Sequence, residues 1–158
     1  VKPQARRRPV EPTDAERLDL DFIATGGALG CGAARRWKAL RQVQKLTGMN
    51  VISGRYPPGI LTNTNLETFM EPKIIVVCDP WPDRNAVADA AKVGIPIIAL
   101  CDTNNQSNDL DLVVPCNNKG KKSVGLVFFL VVREYMRKKG LLRTDEELPV
   151  KLDEFVEE

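Results

Sequence analysis

The chain has 158 residues, 43% hydrophobic and 28% charged, the proportions of an ordinary globular domain long enough to bury a core. Its formal net charge of +2 conceals an asymmetry: residues 144–158 hold seven acids against Lys151, which leaves 22 basic and 14 acidic residues, a net +8, in residues 1–143. It contains no histidine, which excludes histidine-based catalysis and most zinc chemistry.

Taken in chain order, residues 1–17 combine three prolines with Arg6-Arg7-Arg8 and read as an extended basic arm. Proline and acids follow those arginines, not the apolar core of a secretory signal. Residues 18–25 suit a short strand. Residues 33–47 have helical periodicity through Ala39, Leu40, Val43 and Leu46, with Gly48 as the stop. That helix carries Arg35, Arg36, Lys38, Arg41 and Lys45 and no acid, a pattern that serves either as a solvated face or as a phosphate contact. Val51-Ile52 is a strand fragment leading into a turn-rich stretch.

Residues 73–78 are a continuous β-branched run, as expected of a strand buried on both faces. Asp83 is placed to cap a helix over residues 84–93. Residues 95–101 form a second apolar strand, a polar loop follows, and residues 111–114 form a third. A long helix over residues 118–139 is apolar in its first half, basic in its last turns, and stopped by Gly140. Its apolar run, residues 124–132, is about half of the ~20 residues that a bilayer requires. Alternation of strands and helices with short loops predicts a three-layer α/β sandwich with a mainly parallel sheet. The expected organisation is an arm (1–17), a domain (18–143) and an acidic tail (144–158).

Four cysteines, at 31, 78, 101 and 116, make no CxxC pair. Cys78 and Cys101 end apolar runs and read as small buried hydrophobes of an intracellular chain without disulfides. The sequon Asn105-Gln106-Ser107 is then a chance match. Two constellations remain that can carry chemistry. Asp79 and Asp102 follow the first two strands, at the edge where parallel sheets bind ligands. There they either hold Mg²⁺ in a phosphohydrolase or cap turns through hydrogen bonds to backbone. The second aspartate that haloacid-dehalogenase-type phosphatases place two residues later is missing, because position 81 is Trp.

The other constellation is Pro-Cys-Asn-Asn-Lys-Gly-Lys-Lys-Ser at residues 115–123, between a strand and a helix. Lys119, Lys121 and Lys122 at a helix start repel the macrodipole unless an anion shares the turn. The glycine spacing of a nucleotide-binding P-loop is absent, as is a G-x-G-x-x-G fingerprint. Basic residues are instead dispersed over the arm, the 35–45 helix, Arg55 and this turn, which suits a long folded polyanion. Scarce aromatics give little support to base-stacking platforms.

Six ordered segments carry a family resemblance: Arg55-Tyr-Pro-Pro-Gly-Ile-Leu-Thr-Asn63, Glu71-Pro72, Asp79-Pro80, Gly94-Ile-Pro96, Ala99-Leu-Cys-Asp-Thr103 and Pro115-Cys-Asn-Asn-Lys-Gly120. Together they resemble the small-subunit ribosomal protein S-two family. Cys116–Gly120, Ser123-Val-Gly-Leu126 and Arg133-Glu134 are similar to its archaeal and eukaryotic cytosolic branch, which includes the laminin-receptor precursor. The resemblance implies a flavodoxin-like, Rossmann-like domain at the head–body junction of the small subunit in the cytoplasmic ribosome. It implies binding to small-subunit rRNA and neighbouring ribosomal proteins, with no catalysis, cofactor, small-molecule substrate or membrane. The rRNA contacts expected are Arg35, Arg36, Lys38, Arg41, Arg55, Asn63, Asn117, Asn118, Lys119, Lys121 and Lys122. Asn117 and Asn118 serve equally well as caps of the last helix. The chain departs from the family in its short, histidine-free N-terminal region, in Ile60 where Thr is usual, and in Trp81 where Arg is usual.

Overall fold

A computed structural model of the chain describes residues 37–52, 54, 56–142 and 148–156. The expected arm and the strand over residues 18–25 lie outside these. In order, the elements are α1 (Trp37–Thr47), β1 (Ile75–Val77), α2 (Arg84–Val93), β2 (Ile97–Cys101), β3 (Leu112–Pro115), α3 (Lys121–Lys138) and a 3-10 turn at Leu152–Glu154. The three strands form one parallel sheet in the order β1-β2-β3, with Val76 opposite Ile98 and Ala99 opposite Val113. The described residues thus form the α/β sandwich of the flavodoxin type that the periodicity and the resemblance predict.

The pleat sorts the strand residues onto two faces, because successive side chains point to opposite sides. Val76, Cys78 and Leu100 pack with Ala39, Leu40 and Val43 of α1 and Val124, Phe128 and Val132 of α3. Ile75, Val77, Ile97 and Ala99 face the other way, onto Ala86, Val87 and Ala90 of α2 and onto Tyr56, Ile60 and Leu61. Ile60 is buried there, so the apolar residue at this position completes the α2-side core. The C-cap of α2 is Gly94, at φ 85°, a left-handed conformation that glycine adopts without steric cost.

The ten residues between Cys101 and Leu112 join two parallel strands without a helix. Asp111 makes this short connection register: its N–H donates to Ile97 O (3.0 Å), and its carboxylate accepts from Ile97 N (2.8 Å).

Three expectations are corrected. Val51 and Ile52 form no strand; they split between the two apolar clusters as the chain passes from one face of the sheet to the other. Asp83 sits at the N-cap of α2 but makes no side-chain cap bond, its side chain being buried under the turn. The acidic stretch is not simply a tail. Over residues 148–156 it forms a strap across α1 and α3, with Phe155 only 1% exposed and its ring edge-on to Phe129 at 5.6 Å. Lys38 Nζ donates to Asp153 O (3.3 Å) and Val156 O (2.8 Å) and fastens the strap to α1. Gly125 receives it on α3: a Cβ there would lie 2.9 Å from Phe155 O.

Candidate nucleic-acid interface

Loops leaving the carboxyl ends of the three strands meet on one edge of the sheet, and a buried polar network ties them together. Asn105, from the loop after β2, is its centre. Its Nδ2 donates to Asp79 Oδ1 (3.0 Å) in the loop after β1. Its Oδ1 accepts from Asp102 N (2.8 Å) and from Asn118 Nδ2 (2.9 Å), the latter in the turn after β3. The same Asn118 amide donates to Leu100 O (2.9 Å). Each strand end is therefore fixed to its neighbour by side chains as well as by the ladder.

Both asparagines make structural hydrogen bonds in this network. Asn118 is fully buried (0% exposed), and its amide anchors the turn to the sheet. Asn117 is exposed, but its Oδ1 accepts from Lys119 N (3.0 Å) and Gly120 N (2.9 Å), an Asx turn just before the helix. Gly120, in extended conformation, is the N-cap of α3. Tied to Leu100 and Asn105 through the Asn118 side chain and folded on itself through Asn117, the turn holds Lys119 and Lys122 exposed and Lys121 half-buried at the rim. These lysines form the compact basic feature of this edge.

The other expected contacts are not brought to it. Lys38 is engaged with the strap, where two carbonyls accept from its ammonium. Arg41 and Lys45 are exposed on α1, on the α1/α3 face. Asn63 is exposed in a turn beyond the α2 face, where its Oδ1 accepts from Asn65 N (3.1 Å). Its segment is held by Asp89 of α2, whose Oδ2 accepts from Tyr56 Oη (3.3 Å) and Gly59 N (3.2 Å). Burial, then the Asp89 charge and hydrogen bond, push the Tyr56 hydroxyl well above its ordinary pKa. Arg35, Arg36 and Arg55 lie outside the described residues.

The carboxylates once considered for Mg²⁺ cap turns. Asp79, 5% exposed, accepts from Trp81 N (3.2 Å) besides Asn105, and Asp102 Oδ1 accepts from Thr103 N (2.7 Å). No group of three or more metal-ligating side chains gathers among the described residues. Burial, reinforced by Asp79, raises the Cys101 thiol, and burial with Asp102 raises that of Cys116, so neither is an activated nucleophile. No helix among the described residues is long and apolar enough to cross a membrane.

Sequence reasoning missed Asn105, which stood only in a chance sequon. The available signal was the density of Asx residues in 102–109, the residue types that bond backbone in loops. It met Trp81 only as a departure from the family's usual Arg; the structure leaves this residue 73% exposed between two prolines.

The described residues thus form a parallel α/β sheet with a lysine turn at the carboxyl edge of its strands. Residues 66–137 match the family model of ribosomal protein S2. Over 119 residues the chain is 45% identical to small ribosomal subunit protein uS2 of Aeropyrum pernix, which covers 75% of this chain and 58% of that relative. It is 44% identical over 124 residues to the uS2 of Nanoarchaeum equitans (77% and 62%) and 42% identical over 118 residues to that of Methanococcus maripaludis strain C5 (75% and 53%). Over the matched residues the chain is thus similar to the ribosomal protein S2 family, of the archaeal type. It spans between about half and three fifths of the length of these curated relatives.

Proposed function

We propose that the chain is a non-catalytic structural constituent of the small ribosomal subunit in the cytoplasm. In this reading it binds small-subunit rRNA and neighbouring ribosomal proteins near the head–body junction. The observation that carries the reading is its similarity to relatives named small ribosomal subunit protein uS2. The rigid lysine turn supports it physically, since a pre-positioned cationic edge contacts phosphate without first being ordered. Lys119, Lys121 and Lys122 are the proposed phosphate contacts at that edge, with Asn117 beside them in the turn and Arg41 and Asn63 as contacts elsewhere on the surface. Arg35, Arg36 and Arg55 complete the set. Asn118 acts by holding the turn, and Lys38 by holding the strap.

Co-sedimentation of the purified chain with archaeal small subunits, stripped of their own uS2, tests the proposal. Saturable binding at low salt that declines as salt rises is the expected result. Absence of binding at any salt, or an association indifferent to salt, would reject it.

A further inference from the structure

A cavity of about 410 Å³ opens between the loop after β1, the first half of α2 and the loop after β2. Trp81, Arg84, Gln106, Asn108 and Asp109 line it together with the apolar Pro80, Val87 and Ala88. Its size falls in the range of small-ligand pockets, roughly 300–1,000 Å³.

Two features show a pocket that is built, not incidental. Trp81 is 73% exposed although its backbone is fixed: Pro80 and Pro82 restrict the torsions on either side, and Trp81 N donates to Asp79 Oδ1 (3.2 Å). Across the opening, Asp109 is the described non-glycine residue at positive φ (61°), a conformation sparsely populated by L-residues.

The lining has the parts of a nucleotide site. An indole face stacks a base, side-chain amides and a carboxylate read its edge, and a guanidinium meets a phosphate. A peptide anchor fits less well, because it would leave Arg84, Gln106, Asn108 and Asp109, the polar half of the lining, without partners. The carboxylate also selects among bases. It only accepts hydrogen bonds, and guanine presents two adjacent donors, N1–H and the N2 amine, on one edge.

We propose that the cavity between Trp81 and Asp109 binds an unstacked guanine of single-stranded RNA, with Arg84 on its phosphate. This rests on the rRNA-binding reading and names the kind of RNA element that one part of the surface takes.

The full chain is titrated with the pentanucleotide UUGUU and with the same strand carrying an abasic site in place of guanosine. Binding is followed by NMR through the Trp81 indole N–H and, in variants, through the side-chain amides of Gln106 and Asn108. The guanine strand binds more tightly than the abasic strand, by roughly 5- to 150-fold as expected for one stacked base. Trp81→Ala removes the difference, while Trp81→Phe keeps part of it. Arg84→Ala weakens both strands and lowers the salt slope by about 0.7. Asp109→Asn reduces the preference over UUAUU. Circular dichroism verifies that each variant is folded.

A guanine-to-abasic ratio near one in the parent chain, or one unchanged by Trp81→Ala, overturns the proposal. So does a Trp81→Ala chain that keeps its RNA affinity but no longer sediments with subunits, which assigns the pocket to a protein neighbour. Salt-dependent subunit binding that survives these results leaves the ribosomal reading standing and removes the pocket alone.

Discussion

Asn105 joins three loops with one amide, and its worth follows from what its removal leaves behind. Asn105→Ala strands the Asp102 N–H and one donor of the buried Asn118 amide and takes a partner from Asp79. An unsatisfied buried group costs about 1–3 kcal/mol, so the substitution is expected to destabilise the fold by about 2 to 4 kcal/mol in urea denaturation. Its exposed neighbour supplies the control: Asn104→Ala changes little. Equal effects from the two would show that the network does not hold the edge. The roles of neighbouring residues divide by sequence distance. The bond of Asn117 reaches two and three residues ahead, and such local capping is readable from residue type. Asn118 finds its carbonyl 18 residues away and Asn105 its carboxylate 26 residues away, so only the assembled sheet reveals them.

Among the elements, the strands and α2 were legible because burial on both sheet faces demands unbroken apolar runs, and 73–78 and 95–101 have them. Helix α2 falls on residues 84–93 as its flanking Asp83 and Gly94 indicate, even though Asp83 caps it without its side chain. The strap was not legible. Its acids dominate the composition of residues 144–158, and one aromatic, Phe155, decides its fate by finding a slot on α3. That slot depends on Gly125, whose missing Cβ admits the Phe155 carbonyl. Gly125→Ala is expected to cost about 1–3 kcal/mol through overpacking, and to speed proteolytic cleavage within 148–156. Unchanged cleavage kinetics would mean that α3 accommodates the methyl without releasing the strap.

For the whole molecule, the dispersed positive charge predicted from composition resolves into separate surfaces. The turn after β3 lies at the sheet edge, while Arg41 and Lys45 lie on α1. Replacing Lys119, Lys121 and Lys122 together by Ala should leave thermal stability intact and weaken rRNA binding. The slope of log affinity against log salt should become shallower by about 2 to 3, one increment of ~0.7–0.9 per lost phosphate contact. An unaltered slope would move the phosphate contacts to α1 or to the arginines outside the described residues. Lys38, on the first described helix, closes on the carbonyl of Val156 across 118 positions of sequence. During synthesis the α1/α3 layer therefore stays open after the sheet strands have been made. At roughly 5–20 residues per second, the 30 residues from Gly125 to Phe155 take about 1.5–6 s to add. Through that interval the nascent chain exposes the slot beside Gly125, and a folding helper or a premature subunit contact has its opportunity there before Phe155 arrives.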